Sequence, residues 1–155
     1  MEMKIEDIYN DLPTLETERL KLRKITFDDA QDVFNYASEP DVLKFVPWEA
    51  HQSIEDSYHF INYILKQYEE AKLAPWAMEF KQNKKVIGTM DFVAWFPRRF
   101  RAEIGFILSK EYWGMGLVVE AATKVIQFGF EKMELNKIEA LVWWRMFNRK
   151  EFCKN

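Results

Sequence analysis

The sequence predicts a mixed α/β fold, with one largely antiparallel sheet packed against helices in a single domain. Three observations predict it. Apolar and polar residues alternate at strand period near the start and through the middle of the chain. Other stretches repeat their apolar residues at helical spacing. Two glycines, Gly114 and Gly116, separate an apolar run from a helical stretch, the pattern of a tight strand-to-helix turn.

Length and composition bound the rest. The chain has 155 residues, enough for one domain with its own core and too few for two ordinary ones. It is 48% hydrophobic and 16% aromatic, which excludes a disordered chain. A net charge of −3 leaves no global basic field to recruit nucleic acid. Cys153 is the single cysteine, which rules out an intrachain disulfide framework and a Cys-based zinc site. No apolar run approaches membrane-spanning length, and the acidic stretch Met1 to Asp11 is unlike a signal peptide, so the sequence reads as cytoplasmic with no membrane partner.

Taken in order, residues 1–13 read as a short arm with a helical turn. Leu15 to Ile25 reads as the first strand, with Leu20 and Leu22 alternating against Arg19, Lys21 and Arg23. Thr26 is the N-cap of a first helix that places Ala30, Val33, Phe34 and Ala37 on one face and ends before Pro40. Asp41 to His51 is an aromatic-rich loop that either lines a cleft or closes one end of the core. A second helix runs from Ser53 to about Lys72, with Ile54, Tyr58, Ile61, Ile64, Leu65 and Tyr68 at helical spacing. His51 and His59 have no partner at metal-ligand spacing, so no metal is expected.

Three strands follow: Pro75 to Lys81, Lys85 to Trp95 and Arg101 to Ser109, joined by short loops that favour antiparallel neighbours. Gly88 inside the middle strand marks a bulge or a close approach. Arg98, Arg99 and Arg101 form a basic loop that is either solvated or placed against an anion. After the glycines, a helix from Val118 to Phe130 is expected to bury Ala121, Ala122, Val125, Ile126, Gly129 and Phe130. Ile138 to Val142 is the last strand.

The stretch Tyr112-Trp113-Gly114-Met115-Gly116-Leu117-Val118 carries the chemistry. A glycine turn opening a helix lets backbone N–H groups approach an anion, and the helix terminus adds unpaired donors and a positive dipole end. It is not a dinucleotide fingerprint, because Val119 stands where a third small residue belongs. It is not a P-loop, because no Gly-Lys-Ser/Thr follows. On spacing alone an anion site and a plain capped turn both remain open.

Four motifs together resemble the GNAT superfamily of acetyl-CoA-dependent N-acetyltransferases, in particular the branch that acetylates ribosomal-protein N-termini. They are Leu15-Glu16-Thr17-Glu18-Arg19-Leu20, Pro40-Asp41-Val42, Ala102-Glu103-Ile104-Gly105, and Tyr112-Trp113-Gly114-Met115-Gly116 with Glu120-Ala121. The resemblance spans about Leu15 to Leu141. It implies a GNAT fold with acetyl-CoA as cosubstrate and an amine or protein N-terminus as acceptor. It implies that the amides of Met115, Gly116, Leu117 and Val118 wrap the diphosphate, with Trp113 and Gly114 shaping the turn. Ile107 and Leu108 would pair with the pantetheine arm like an added strand. Glu103, opening the strand that carries the thioester, is the implied candidate base, or else a salt-bridge partner of a neighbouring arginine such as Arg101 or a solvated strand end. Glu111 departs from the family, which has Gln or Arg there. A non-catalytic acyl-CoA-binding module is the competing expectation.

The resemblance also predicts a helix and hairpin after the last strand, and the segment from Val142 to Asn155 matches neither. Read one nucleotide early with permitted synonymous codons, positions 143–155 can encode a family-like continuation. The expectation is therefore a frameshift just before Trp143, a C-terminus altered after about residue 142, reduced activity, and a homodimer formed through the strand edge left unpaired at Ile138. Sequencing the gene tests the frameshift, which requires a family-like peptide in the shifted frame.

Overall fold

The computed structural model describes residues 3–44 and 48–140. The expectations for residues 143–155 lie outside them, as do Phe45, Val46 and Pro47 of the aromatic loop.

The elements run α1 (Ile5–Tyr9), β1 (Leu15–Glu16), β2 (Leu20–Arg23), α2 (Ala30–Ala37), α3 (Ile54–Glu69), β3 (Trp76–Phe80), β4 (Lys85–Phe96), β5 (Arg101–Leu108), α4 (Leu117–Lys132) and β6 (Lys137–Ala140). The described strands form one six-stranded sheet in the order β1-β2-β3-β4-β5-β6. Neighbours are antiparallel until β5 and β6, which run parallel because α4 crosses between them.

The first expected strand is corrected by the structure. It is a small hairpin, not one run: Leu15 pairs with Leu22 and Glu16 with Lys21. The turn closes where the Thr17 N–H donates to the Leu20 carbonyl at 2.9 Å. A hairpin this short has little ladder of its own, so its side-chain ties to the rest of the fold decide its geometry.

The N-terminal arm is a core element. Tyr9 and Leu12 are buried with Trp76 and Trp95, and the Trp76 indole N–H donates to the Pro13 carbonyl at 2.8 Å. Thr26 opens a short 3₁₀ turn before α2, and its N–H donates to Asp29 at 2.8 Å, which satisfies a donor at the helix start. Asp29 is buried and receives both Nη atoms of Arg23 at 2.8 and 2.9 Å, while Arg23 Nε reaches Glu79 at 2.8 Å. A buried carboxylate is tolerable here because a bidentate partner and a cap share it.

The sheet separates two apolar layers. One holds Leu20, Leu22, Met78, Met90, Phe92, Ile104 and Leu108 against Leu117, Ala121 and Val125 of α4. The other holds Val33, Ala37, Ile61 and Ile64 of α2 and α3 against Ala77, Val86 and Ile107. Val42 and Leu43 belong to this second layer, so the described start of the aromatic loop closes the core. Phe130 is a further correction. It is 47% exposed, and Leu117 and Val118 supply apolar surface at the other end of α4.

Candidate active site

Two halves meet at the C-terminal end of β5: the strand itself and the turn that leads into α4. The turn is pinned by its aromatic residues. Tyr112 packs edge-on to Phe80, ring centroids 5.3 Å apart, and its hydroxyl accepts from Asn83 Nδ2 at 2.9 Å. The Trp113 indole N–H donates to the Leu108 carbonyl at 2.8 Å, folding the turn back on the strand. With those anchors set, the chain reverses through Gly114 (φ +79°) and Gly116 (φ +76°), both in the left-handed region that favours glycine. Gly116 is the N-cap of α4, and its carbonyl accepts the Glu120 N–H at 3.0 Å. The first N–H groups of α4 therefore point out of the helix with no intrahelical acceptor.

An added Cβ on Gly114 would meet nothing within 4 Å, so the space beside this residue is open. Met115 between the glycines is exposed. A glycine turn with exposed space beside it at a helix start has the chemistry a diphosphate needs, so the residues present fit that group as a cradle.

On β5, the register with β6 runs from Arg101↔Lys137 to Ile104↔Ala140. Ile107 and Leu108 lie C-terminal to these pairs, which run to the last described residue of β6. On the other side, the Ser109 N–H donates to Ile87 at 2.7 Å, and Ile107 lies opposite Thr89. Antiparallel ladders alternate, so Ile107 directs its backbone groups to β4 and Leu108 directs its own toward the β6 side. The Leu108 carbonyl is the one Trp113 caps, which leaves its N–H pointing to that edge.

Glu103 lies opposite Ala94 on β4 and Glu139 on β6. Its Oε2 is 3.7 Å from Arg101 Nη1, and Arg101 stacks over Phe96 with its guanidinium carbon 4.3 Å from the ring centre. The salt bridge expected as one reading of Glu103 is thus formed, at long range and partly exposed, a geometry worth little energy. His51 bonds Ser57 Oγ at 2.9 Å, and burial lowers its proton affinity. No group of side chains among the described residues has metal-ligand geometry. No helix among them is long and apolar enough to cross a membrane.

Two features escaped the sequence reading. Asp91 on β4 sits opposite Gly105, on the face of β5 that also carries Glu103. Burial pushes its carboxyl up to about 7. Because the folded state holds this proton to higher pH than the unfolded chain does, the resulting stability is present below the usual carboxylate range and is lost as pH rises through about 7. The signal was one acidic residue between apolar neighbours Met90 and Phe92. The second feature is Glu120 in the first turn of α4. It accepts from the Thr17 hydroxyl, from the Arg19 N–H at 2.9 Å and from Arg19 Nε at 2.8 Å. Burial opposes its ionisation, but these three donors hold its carboxyl below the usual range. The β1–β2 hairpin is fastened to the cradle by this cluster.

Comparison with known proteins agrees with this geometry. Residues 19–145 match the family model described as an acetyltransferase (GNAT) domain. The chain is 36% identical over 131 residues to the uncharacterized N-acetyltransferase YoaA of Bacillus subtilis, covering 84% of this chain and 74% of that protein. Among solved structures, a GNAT-family acetyltransferase from Bacillus anthracis superposes with a TM-score of 0.70 at 28% identity, covering 83% of this chain and 72% of the other. The Microcin C7 self immunity acetyltransferase MccE, solved in complex with acetyl-CoA and AMP, shares the fold with a TM-score of 0.69 at 21% identity, over 89% of this chain and 76% of that one. A pinned glycine turn, the end of β5 beside it and a match over most of the sequence converge: this chain belongs to the GNAT acetyltransferase family, whose reaction is acetyl-CoA-dependent acetyl transfer.

Proposed function

We propose that this chain moves the acetyl group of acetyl-CoA onto a primary amine, a protein N-terminus being the acceptor class suggested by its resemblance to ribosomal-protein acetyltransferases. The observation that carries the reading is the left-handed Gly114–Gly116 turn at the start of α4, following β5 in the chain. The amides of Met115, Gly116, Leu117 and Val118 hold the diphosphate, and Trp113 and Gly114 fix the turn. Ile107 and Leu108 guide the pantetheine arm, with the Leu108 N–H as the donor on that edge. Acetyl-CoA supplies an activated thioester. The chain's task is to align the amine and remove its proton. Cytoplasmic action fits a chain with a single cysteine. Acetyl-CoA-dependent thiol release with amine and peptide acceptors tests the reading. CoA binding without release would leave a non-catalytic acyl-CoA module.

Glu103 is the proposed base, and Asp91, on the same face, is its rival. If Glu103 takes the proton, Glu103→Gln lowers kcat on the order of 10²-fold with little change in KM for acetyl-CoA. Asp91→Asn then leaves kcat nearly unchanged. The reverse outcome, with an ionisation near neutrality lost from the pH–rate profile of Asp91→Asn, moves the role to Asp91.

We also read β6 as a pairing edge for a second copy of the chain, since it is the last strand of the described sheet. Light scattering coupled to size exclusion is expected to give the mass of a dimer. A monomer mass across micromolar concentrations contradicts this.

A further inference from the structure

The cradle has a charge problem. A diphosphate carries negative charge, and the side chains of the turn do little to offset it. Glu111 is itself acidic and exposed. Lys110 is committed to Asp41, its Nζ 2.7 Å from the carboxylate. Backbone dipoles alone would have to balance the ligand.

Arg19 stands beside the cradle. It comes from the β1–β2 hairpin, far from the turn in sequence. Its Nη2 lies 3.7 Å from where a Cβ on Gly116 would be. Its orientation is fixed: Nε is spent on Glu120 Oε1 at 2.8 Å, and its own backbone N–H is bonded to Glu120 Oε2. The Arg19 carbonyl is also held, accepting the Lys81 N–H at 2.9 Å. The side chain is 38% exposed, so the far end of the guanidinium is accessible. A guanidinium gripped through Nε presents its Nη donors in a rigid fork, the geometry that suits a phosphate.

We propose that Arg19, positioned by Glu120 and Thr17, is the cationic contact for the diphosphate of the acyl-CoA and takes over from the basic position that Glu111 leaves empty. The inference rests on the acetyl-CoA reading above. It makes the hairpin part of the cofactor site and explains why Glu120 gathers three donors: a carboxylate beside a phosphate is repulsive unless its charge is used to hold a cation between them.

The test compares two ligands that differ in the diphosphate. Isothermal titration of the native chain is run with acetyl-CoA and with S-acetylpantetheine, which lacks the diphosphate and the 3′-phosphoadenosine. Arg19→Gln is expected to weaken acetyl-CoA about tenfold, as loss of one charged hydrogen-bonding contact does, and to leave S-acetylpantetheine unchanged. Arg19→Lys keeps the charge, loses the fork, and is expected to fall between; it serves in place of Arg19→Gln should that variant fail to fold. Equal weakening of both ligands would show a purely structural role for the hairpin and overturn the proposal, as would unchanged affinity for acetyl-CoA. Failure of the native chain to bind acetyl-CoA would instead strike the acetyltransferase reading itself.

Discussion

Gly88→Ala is expected to be among the most damaging single substitutions in this chain, lowering stability by about 3 kcal/mol or more and the melting temperature by about 10 °C. A Cβ at position 88 would sit 2.1 Å from the Ile107 carbonyl oxygen, 3.0 Å from its carbonyl carbon and 3.1 Å from Leu108 Cα. These are backbone atoms of the central strand β5, so no side-chain rotation relieves the clash. Relief has to come from separating β4 from β5 or from shifting the irregularity opposite Met78 and Glu79, where β3 and β4 change register. Either motion displaces Ile107 and Leu108, so acetyl-CoA affinity falls with stability. Thermal melting read beside acetyl-CoA titration checks both. A variant that melts like the native chain would show that β4 and β5 do not approach this closely.

Gly116→Val is expected to have the opposite profile, a large loss of binding with a modest loss of stability. At φ +76° a β-branched side chain is strained, at about 1–3 kcal/mol, but the nearest neighbour of a new Cβ is Arg19 Nη2 at 3.7 Å, an ordinary contact distance, so there is no steric collision to add. The affected groups are the amides of the cradle. They act together on one diphosphate, so reorienting them is expected to weaken acetyl-CoA about 100-fold. Gly116→Ala should lie between. Binding measured on a variant whose melting temperature stays within several degrees of native separates this from unfolding. Retained affinity in Gly116→Val would remove the turn from the cofactor site.

The sequence made the site's local half legible and concealed its distant half. Strand, glycine pair and helix are contiguous, so period and backbone chemistry located the strand–turn–helix unit directly, while Trp113 came from the family resemblance. The middle strands were read within a residue or two for the same reason. The Leu15–Ile25 segment failed because its turn carries no glycine, proline or asparagine: the only signs were four polar residues in a row, Glu16 to Arg19, and a slip of the leucines from odd to even positions. Phe130 was misplaced by rotation, since a helix end sweeps past the core face within a residue. Arg19 and Glu120 are 101 positions apart, and nothing in the periodicity of either neighbourhood shows that they meet. Asp91 was hidden by its setting. A strand pattern reports which face a residue occupies, but burial, the cause of its shifted protonation, comes from elements packed above it.

Amide hydrogen exchange with and without acetyl-CoA bears most directly on the central claim. The account predicts saturable binding with slowed exchange concentrated at Met115 to Val118 and at Leu108, while the β3–β4 turn at Gln82 to Lys84 is unchanged. Saturable binding with protection elsewhere, and none at the two glycines, would contradict it.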